Sequence, residues 1–403
     1  MLLYRLILIN FILDITAFWF PSGGINAVIR LSILLLSFFY LILKGKIKFH
    51  KFFTIIIFII YVLVLVFWAS DPYVSLTSSL KIIFPFLMLI IGYVIVNSEL
   101  ELLRYLKQFK YIFVLIIFNT VISNFFGLGV DDYTKQQDYV VGALKDSWNT
   151  YTYTILLLPL LLHYEEDKIK IKRLNLLGLI VFVLLLLSLK RIAILGVVVG
   201  FSIYYYKVRI TSKQIKNIVL FFILLLVSSP FYIDLLESRF NARMNNNSIV
   251  TTDGYKNELR YLEFSLMYDR MTDGSKLDLV FFGENAFDSR NAFGATLGMD
   301  RQLHVDYMNI LYTIGIVGFF FYLAIYRQLF LKYKRIKNHF KRSKFLYNKY
   351  KVHLAVILTL LLTSLFTSLA GQMYHITFRG IVFMTIGGLL GLLTNQLKYY
   401  GKK

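Results

Sequence analysis

The sequence predicts an all-α polytopic membrane protein of about 12 transmembrane helices, with one large extracytoplasmic loop containing a short surface helix. Three observations carry this. Of 403 residues, 58% are hydrophobic and 17% charged, and the mean hydropathy is +0.64, a balance far from that of a soluble domain. The apolar residues fall in runs close to the roughly 20 residues that cross a bilayer. Lysine and arginine gather in alternate loops, the positive-inside pattern.

Taken in order, the first run, 2–20, is followed by no small-residue cleavage site, so it is a retained span rather than a signal. Runs at 26–43, 52–70, 75–96, 108–127, 149–164, 174–190, 191–206 and 214–232 complete a bundle of nine spans over residues 1–232. Residues 233–306 then break the pattern, holding 12 of the 23 carboxylates and six arginines. The stretch NNNSIVTTDGYKN at 245–257 is polar and turn-rich. From Asn257 to Met271 the spacing predicts a helix with Leu259, Leu262, Leu266 and Met267 on one face and Thr252 or Asp253 as its cap. It is too short and too charged to span, which places it on the outer membrane surface or against the bundle. Spans at 307–327, 352–371 and 376–396 fill residues 307–403, together with the basic loop 327–351 and its ten lysines and arginines.

Basic residues concentrate in 44–51, 97–110, 163–173, 207–216, 327–351 and 398–403, whereas 128–148 carries four aspartates. The bias puts both termini in the cytoplasm, the 233–306 loop outside and the protein in the cytoplasmic membrane as a multi-pass chain. The net charge of +21 is thus spent on topology and on anionic lipid head groups rather than on nucleic acid. With no cysteine, disulfides, thiolate metal sites and cysteine nucleophiles are excluded. No zincin, phosphate-loop or nucleophile-elbow motif is present, and no metal or cofactor is expected. There is no internal repeat of the kind common in transporters.

Ionisable groups at membrane depth cost about 2.5–3.5 kcal/mol on insertion scales, so each needs a reason. Lys190 and Arg191 sit in a short outer turn, SLKRIAIL, against the positive-inside trend. Snorkelling accounts for such a pair; a cationic clamp on an anionic substrate is the functional alternative, since arginine's planar fork bonds two phosphate oxygens at once. Arg260 lies on the surface helix, within reach of Glu263 or Asp253. His304 precedes a span, where it is either an interfacial hydrogen-bonding residue or a base acting near neutral pH. Asp306 either caps the following helix or orients that imidazole. Gly315 and Gly318 form a small-residue step through which another helix can approach. Asp14 and Arg30 flank an outer turn and are expected to pair, and Lys81 and Arg379 lie at a similar level. Cations gathered at one membrane face would suit an anionic head group.

Three patterns resemble one known family. HVDYMNILYTIGIVG places His304, Tyr307, Leu311, Gly315 and Gly318 on a histidine–aromatic–leucine–Gly-x-x-Gly signature. LLSLKRIAILG gives Ser188 and Arg191 on a Ser-x-Ser-Arg span end, and SWNTYTYTILLLPLLL gives Asn149 and Pro159 on an Asn-bearing span that runs into Leu-Pro-Leu. In these patterns and in its layout, over about the last two-thirds of its length, the chain resembles the O-antigen and capsular-polysaccharide polymerases (Wzy) and their relatives, the O-antigen ligases (WaaL). It departs from them at Val305, where asparagine is frequent, and at Lys190, where the second serine stands. The resemblance implies a glycosyltransferase at the outer face of the membrane. It joins repeat units carried on undecaprenyl pyrophosphate for capsule, O-antigen or exopolysaccharide, without a metal. Catalytic roles fall on His304 and Asp306, and pyrophosphate binding on Arg191 and Arg260, with Lys190 and Arg379 behind them. A chain-length regulator and a flippase are partners that this reading admits. A ligase differs only in its acceptor; a flippase for lipid-linked oligosaccharide is the reading from another class.

Overall fold

The computed structural model describes residues 2–19, 25–126, 149–165, 174–187, 191–208, 233–234, 237, 259–273, 277–290, 302–303, 305–371 and 373–400. Among the described residues the chain is almost entirely helical, and no strand is present. The helices are α1 (Leu6–Trp19), α2 (Ile25–Leu43), α3 (Phe53–Phe67), α4 (Pro72–Ile95), α5 (Glu99–Phe126), α6 (Asn149–Leu156) and α7 (Leu158–Glu165). They continue as α8 (Leu174–Leu187), α9 (Arg191–Lys207), α10 (Leu259–Thr272), α11 (Leu277–Phe282), α12 (Asp306–Lys341), α13 (Lys344–Thr367) and α14 (Ile376–Tyr400).

Six of these segments are long and apolar enough to cross a membrane: Phe49–Phe67, Pro72–Ile95, Glu99–Ser123, Asp306–Lys341, Lys344–Thr367 and Ile376–Tyr400. Shorter apolar helices lie at Val28–Leu43, Leu176–Leu186 and Ile192–Lys207. Large apolar side chains such as Leu43, Phe67 and Phe125 stand more than 80% exposed on the outside of the bundle. A soluble domain avoids such a surface and a lipid-facing one requires it. The chain has the build of a membrane-embedded helical protein. The expected span at 214–232 lies outside the described residues.

The centre of the bundle is the pair α4 and α14. In α14 the most apolar window is 94% buried and in α4 78%, against 28% for the segment containing α3. Glycine explains the close approach. A Cβ on Gly92 would meet the Met384 carbonyl oxygen at 2.2 Å, one on Gly387 that of Leu89 at 2.1 Å, and one on Gly391 that of Tyr93 at 2.3 Å. Without side chains at these positions the two backbones touch, and van der Waals packing replaces the hydrophobic drive that lipid removes. Phe86 of α4 packs edge-on against Phe58, Tyr322 and Phe383, so one ring ties α3, α12 and α14 to the pair.

Two expected single spans are broken. The run 149–164 divides at Leu157 into α6 and α7, because Pro159 has no N–H to donate and its ring opposes the carbonyl one turn back. In α12, Gly315 adopts φ 66° and ψ −175° and interrupts the helical path. At Gly315 the expected close approach is made by the end of α11 and by Gly283 after it; at Gly318, among the described residues, no other helix approaches as closely. A Cβ on Gly315 would lie 2.3 Å from the Phe281 carbonyl oxygen, and one on Gly283 2.4 Å from the Ile314 nitrogen. At Gly318 the obstruction would be the side chain of Ile314 in the same helix.

The helix expected at 257–271 is found as α10, Leu259–Thr272; its two suggested caps lie outside the described residues. Of the expected apolar face, Met267 is buried, packing with Leu303 and Tyr312. Arg270 lies over the Tyr312 ring at 4.1 Å and bridges to Glu284 at 3.3 Å. This helix leans on the bundle.

Candidate functional site: a buried arginine and the polar end of the bundle

The segment 283–289 is drawn into the bundle beside the break in α12. Asn285, Ala286 and Phe287 have φ of 60°, 22° and 64°, a left-handed stretch that non-glycine residues adopt only when the surroundings enforce it. The Asn285 oxygen accepts from the Asp288 N–H at 2.7 Å, and hydroxyls from elsewhere in the bundle supply further donors to this stretch. Ser75 Oγ donates to the Asn285 oxygen at 2.8 Å, Ser79 Oγ to that of Ala286 at 3.2 Å, and Tyr374 Oη to that of Phe287 at 2.8 Å. The Glu284 N–H donates to the Tyr312 oxygen at 3.1 Å, and Tyr61 Oη to the Ile314 oxygen, left open by the break, at 2.8 Å. Beyond this stretch, Asp288 takes a forked pair from Arg290 at 2.9 and 3.1 Å, and Gln302 bonds Ser289 and Asp288. Burial, with Asp306 and Asp288 nearby, pushes the Tyr374 hydroxyl well above its usual ionisation range, so it stays a neutral donor.

Beneath this cover lies Arg379, only 5% exposed. Its Nη1 donates to the Met373 oxygen at 2.8 Å, while Asp306 Oδ1 accepts from the Met373 N–H at 3.0 Å. Both backbone groups of Met373 are therefore held, the N–H by an acid and the carbonyl by a cation, from different helices. Arg379 Nη2 is buried and has no hydrogen-bond partner among the described residues. It borders a cavity lined by Tyr153, Tyr326, Ser364, Thr367, Asp306 and Phe378. The space holds about 10 Å³, room for one water-sized sphere. A phosphoryl group is larger and enters only by displacing a wall. Tyr153 stacks on Phe378 with planes 3° apart and bonds Thr367 through its hydroxyl at 2.7 Å, so that wall is rigid.

A second set of cations stands at the same end. Arg30 pairs with Asp14 at 2.5 Å, as their positions across the turn suggest, and its Nε has no hydrogen-bond partner among the described residues. The charges acting most on Lys81 are those of Arg290 and Arg30. Arg30 and Lys81 are next in sequence to Leu31 and Leu80, and those two residues begin an apolar groove between α2, α3 and α4. The groove has a volume of about 290 Å³ and runs past Leu34, Ile59 and Ile83 toward Ile90.

The residues singled out in the sequence fare differently. Arg379 and Asp306 come together. Asp306 is not the helix cap: Val305 holds that position without a side-chain bond, and Asp306 is the first helical residue, tied across to Met373. Its charge still favours the helix N-terminus. Arg191 opens α9, whose Ala193 carbonyl accepts from Thr152 at 3.2 Å, one residue from the cavity-lining Tyr153. Arg260 lies in the first turn of α10. The side chains of Arg191 and Arg260, and His304 and Lys190 entirely, lie outside the described residues. Among the described residues no group of three metal-ligating side chains forms. Sequence reasoning passed over Tyr374, Gln302, Asp288 and Arg270; the run GENAFDS was the available signal, with its turn-forming Gly and Asn.

A scan against protein-family models matches no family, and a search of curated proteins finds no relative.

Proposed function

We propose that this chain is a membrane glycosyltransferase that lengthens a glycan carried on a polyprenyl pyrophosphate at the extracytoplasmic face. The topology that goes with it is about twelve spans, both termini cytoplasmic and the 233–306 loop outside. The observation that carries the proposal is Arg379. A guanidinium buried in a membrane bundle, with one nitrogen unbonded among the described residues and its side chain lining a small cavity, is a functional group by default, and its remaining capacity suits a phosphate oxygen. An apolar groove whose lining includes Leu31 and Leu80, the sequence neighbours of Arg30 and Lys81, suits the other half of such a ligand, an isoprenoid tail. The glycan itself rests on the resemblance at Ser188–Arg191 and His304–Gly318.

In the reaction an acceptor hydroxyl attacks the anomeric carbon of the donor sugar. The new carbon–oxygen bond forms as the bond to the pyrophosphate oxygen breaks, and the pyrophosphate leaves with the electron pair. Arg379, Arg191 and Arg260, with Lys190, hold that developing charge. His304 takes the hydroxyl proton, and Asp306 acts as a positioning residue through the Met373 peptide.

Deleting the gene and sizing the surface glycan tests this. Single repeat units in place of polymer are expected. Polymer left on its lipid carrier would indicate a ligase, complete absence of surface glycan a flippase, and unchanged glycan would overturn all three readings.

A further inference from the structure

The far end of the bundle carries a second charged site that glycan transfer does not use. Lys332 Nζ lies 3.6 Å from the centroid of the Tyr93 ring and 5.9 Å from that of Phe52. Lys51 Nζ approaches the same Tyr93 ring at 5.7 Å, and the two rings meet edge-on at 5.3 Å. The backbone of Lys51 is fixed by Gln328, which donates to its carbonyl at 3.4 Å. The charges acting most on Lys332 are Lys51, Arg335 and Lys398, all positive. Among the described residues, the carboxylates toward this end are engaged elsewhere: Glu99 by Lys349 and Tyr350, and Glu101 by the Asn97 amide.

One aromatic face offsets one ammonium in part; here two converge on it, with two further cations close by. Like charges gathered at a half-buried position repel unless an anion joins them. The four elements that meet here are the segment before α3, the end of α4, the extension of α12 beyond its apolar stretch, and the end of α14. Lys398 is 19 residues from Arg379 along α14, about 28 Å at helical rise, so the two sites are at opposite ends.

We propose that Lys51 and Lys332, at the Tyr93 and Phe52 rings and with the charge of Lys398 beside them, bind a phosphate-bearing anion, as an anionic phospholipid head group or as free phosphate. The bound anion joins the ends of α3, α4, α12 and α14. It thereby stiffens the bundle at the end remote from Arg379. The placement stands on the geometry of this cluster and is independent of the glycan reading.

The test uses the full chain in nanodiscs of phosphatidylcholine, with phosphatidylglycerol added in steps, and separately in neutral detergent with inorganic phosphate. Thermal unfolding and native mass spectrometry of retained lipid are the readouts. The wild-type chain should gain thermal stability and retain phosphatidylglycerol. Lys332→Met, and the less buried Lys51→Met, should each weaken this about fivefold. Lys110→Met, on exposed α5, should leave it unchanged. A response to phosphatidylglycerol alone identifies a lipid head group; a response to inorganic phosphate that Lys332→Met and Lys51→Met abolish identifies free phosphate. No response to either anion, or an equal response in both site variants, overturns the proposal. Because the readout is anion binding, its failure leaves the transferase reading untouched, and failure of transferase activity leaves this site untouched.

Discussion

Replacing Gly315 by alanine should unseat the 281–289 segment from α12. Gly315 has φ 66° and ψ −175°, a region that costs a residue with a Cβ about 1–3 kcal/mol. The added carbon would also lie 2.3 Å from the Phe281 carbonyl oxygen, so α11 must move away. That movement breaks the bond from the Glu284 N–H to the Tyr312 oxygen and releases the one from Tyr61 to the Ile314 oxygen, each worth about 1 kcal/mol net. The sum is about 3–5 kcal/mol, or a fall in melting temperature of roughly 6–10 °C at about 2 °C per kcal/mol for a large chain. Gly45 supplies the control: its φ is 63° and an added Cβ would meet nothing within 4 Å. Gly45→Ala should therefore show only the left-handed penalty, about 1–2 kcal/mol. The assay is thermal unfolding in detergent, with hydrogen exchange of residues 281–289 as the local readout. If Gly315→Ala melts like Gly45→Ala and 281–289 keeps its protection, the coupling between the break and the inserted segment is wrong.

Three further expectations follow from the same packing. Gly387→Ala should force α4 and α14 apart against the Leu89 carbonyl, lowering stability by about 1–3 kcal/mol, measured by the melting temperature; an unchanged value would deny the close pairing. Tyr374→Phe should leave the Phe287 oxygen without its donor, at about 1–2 kcal/mol, and speed exchange at 285–289. The same hydroxyl, held protonated by burial, contributes stability that is complete below about pH 10 and lost as pH rises toward its folded value. Alkaline melting should be less steep in the phenylalanine variant, and equal slopes would contradict that. Lys81→Met should weaken retention of polyprenyl pyrophosphate about fivefold by removing the cation next in sequence to the groove-lining Leu80; undiminished retention would remove Lys81 from the substrate site.

Much of this architecture is legible in the residue pattern, and the remainder fails for identifiable reasons. Apolar runs mark helices because a backbone in lipid must satisfy itself, so α4, α14 and the apolar parts of α5, α12 and α13 fall where the hydropathy puts them, while those last three continue as helix through the basic stretches expected as loops at 97–110 and 327–351. The Arg30–Asp14 pair is legible because two opposite charges flanking one turn at membrane depth have few other partners. The division at Leu157 was signalled by Pro159, and the glycines at 387, 388 and 391 signalled the α4–α14 contact, though neither was drawn from the sequence. Gly315 is different. Its glycine is visible, but the sign of φ depends on what packs against it, and the partner, 281–283, is remote in sequence. The same holds for Asp306, whose bond to Met373 spans 67 residues and displaces the expected cap. The embedded charge of Arg379 is plain in the sequence; that one of its nitrogens has no partner among the described residues, beside a cavity, emerges only from the packing.

The most direct test of the transferase account is a reconstituted turnover. Purified protein in nanodiscs is given lipid-linked oligosaccharide extracted from a strain lacking the gene, and products are followed by mass. Glycans longer by one repeat should appear in step with free polyprenyl pyrophosphate, and Arg379→Met that melts as a folded protein should form neither. Undiminished chain growth in folded Arg379→Met would contradict the role given to the buried guanidinium, and absence of growth in the wild-type chain would contradict the account itself.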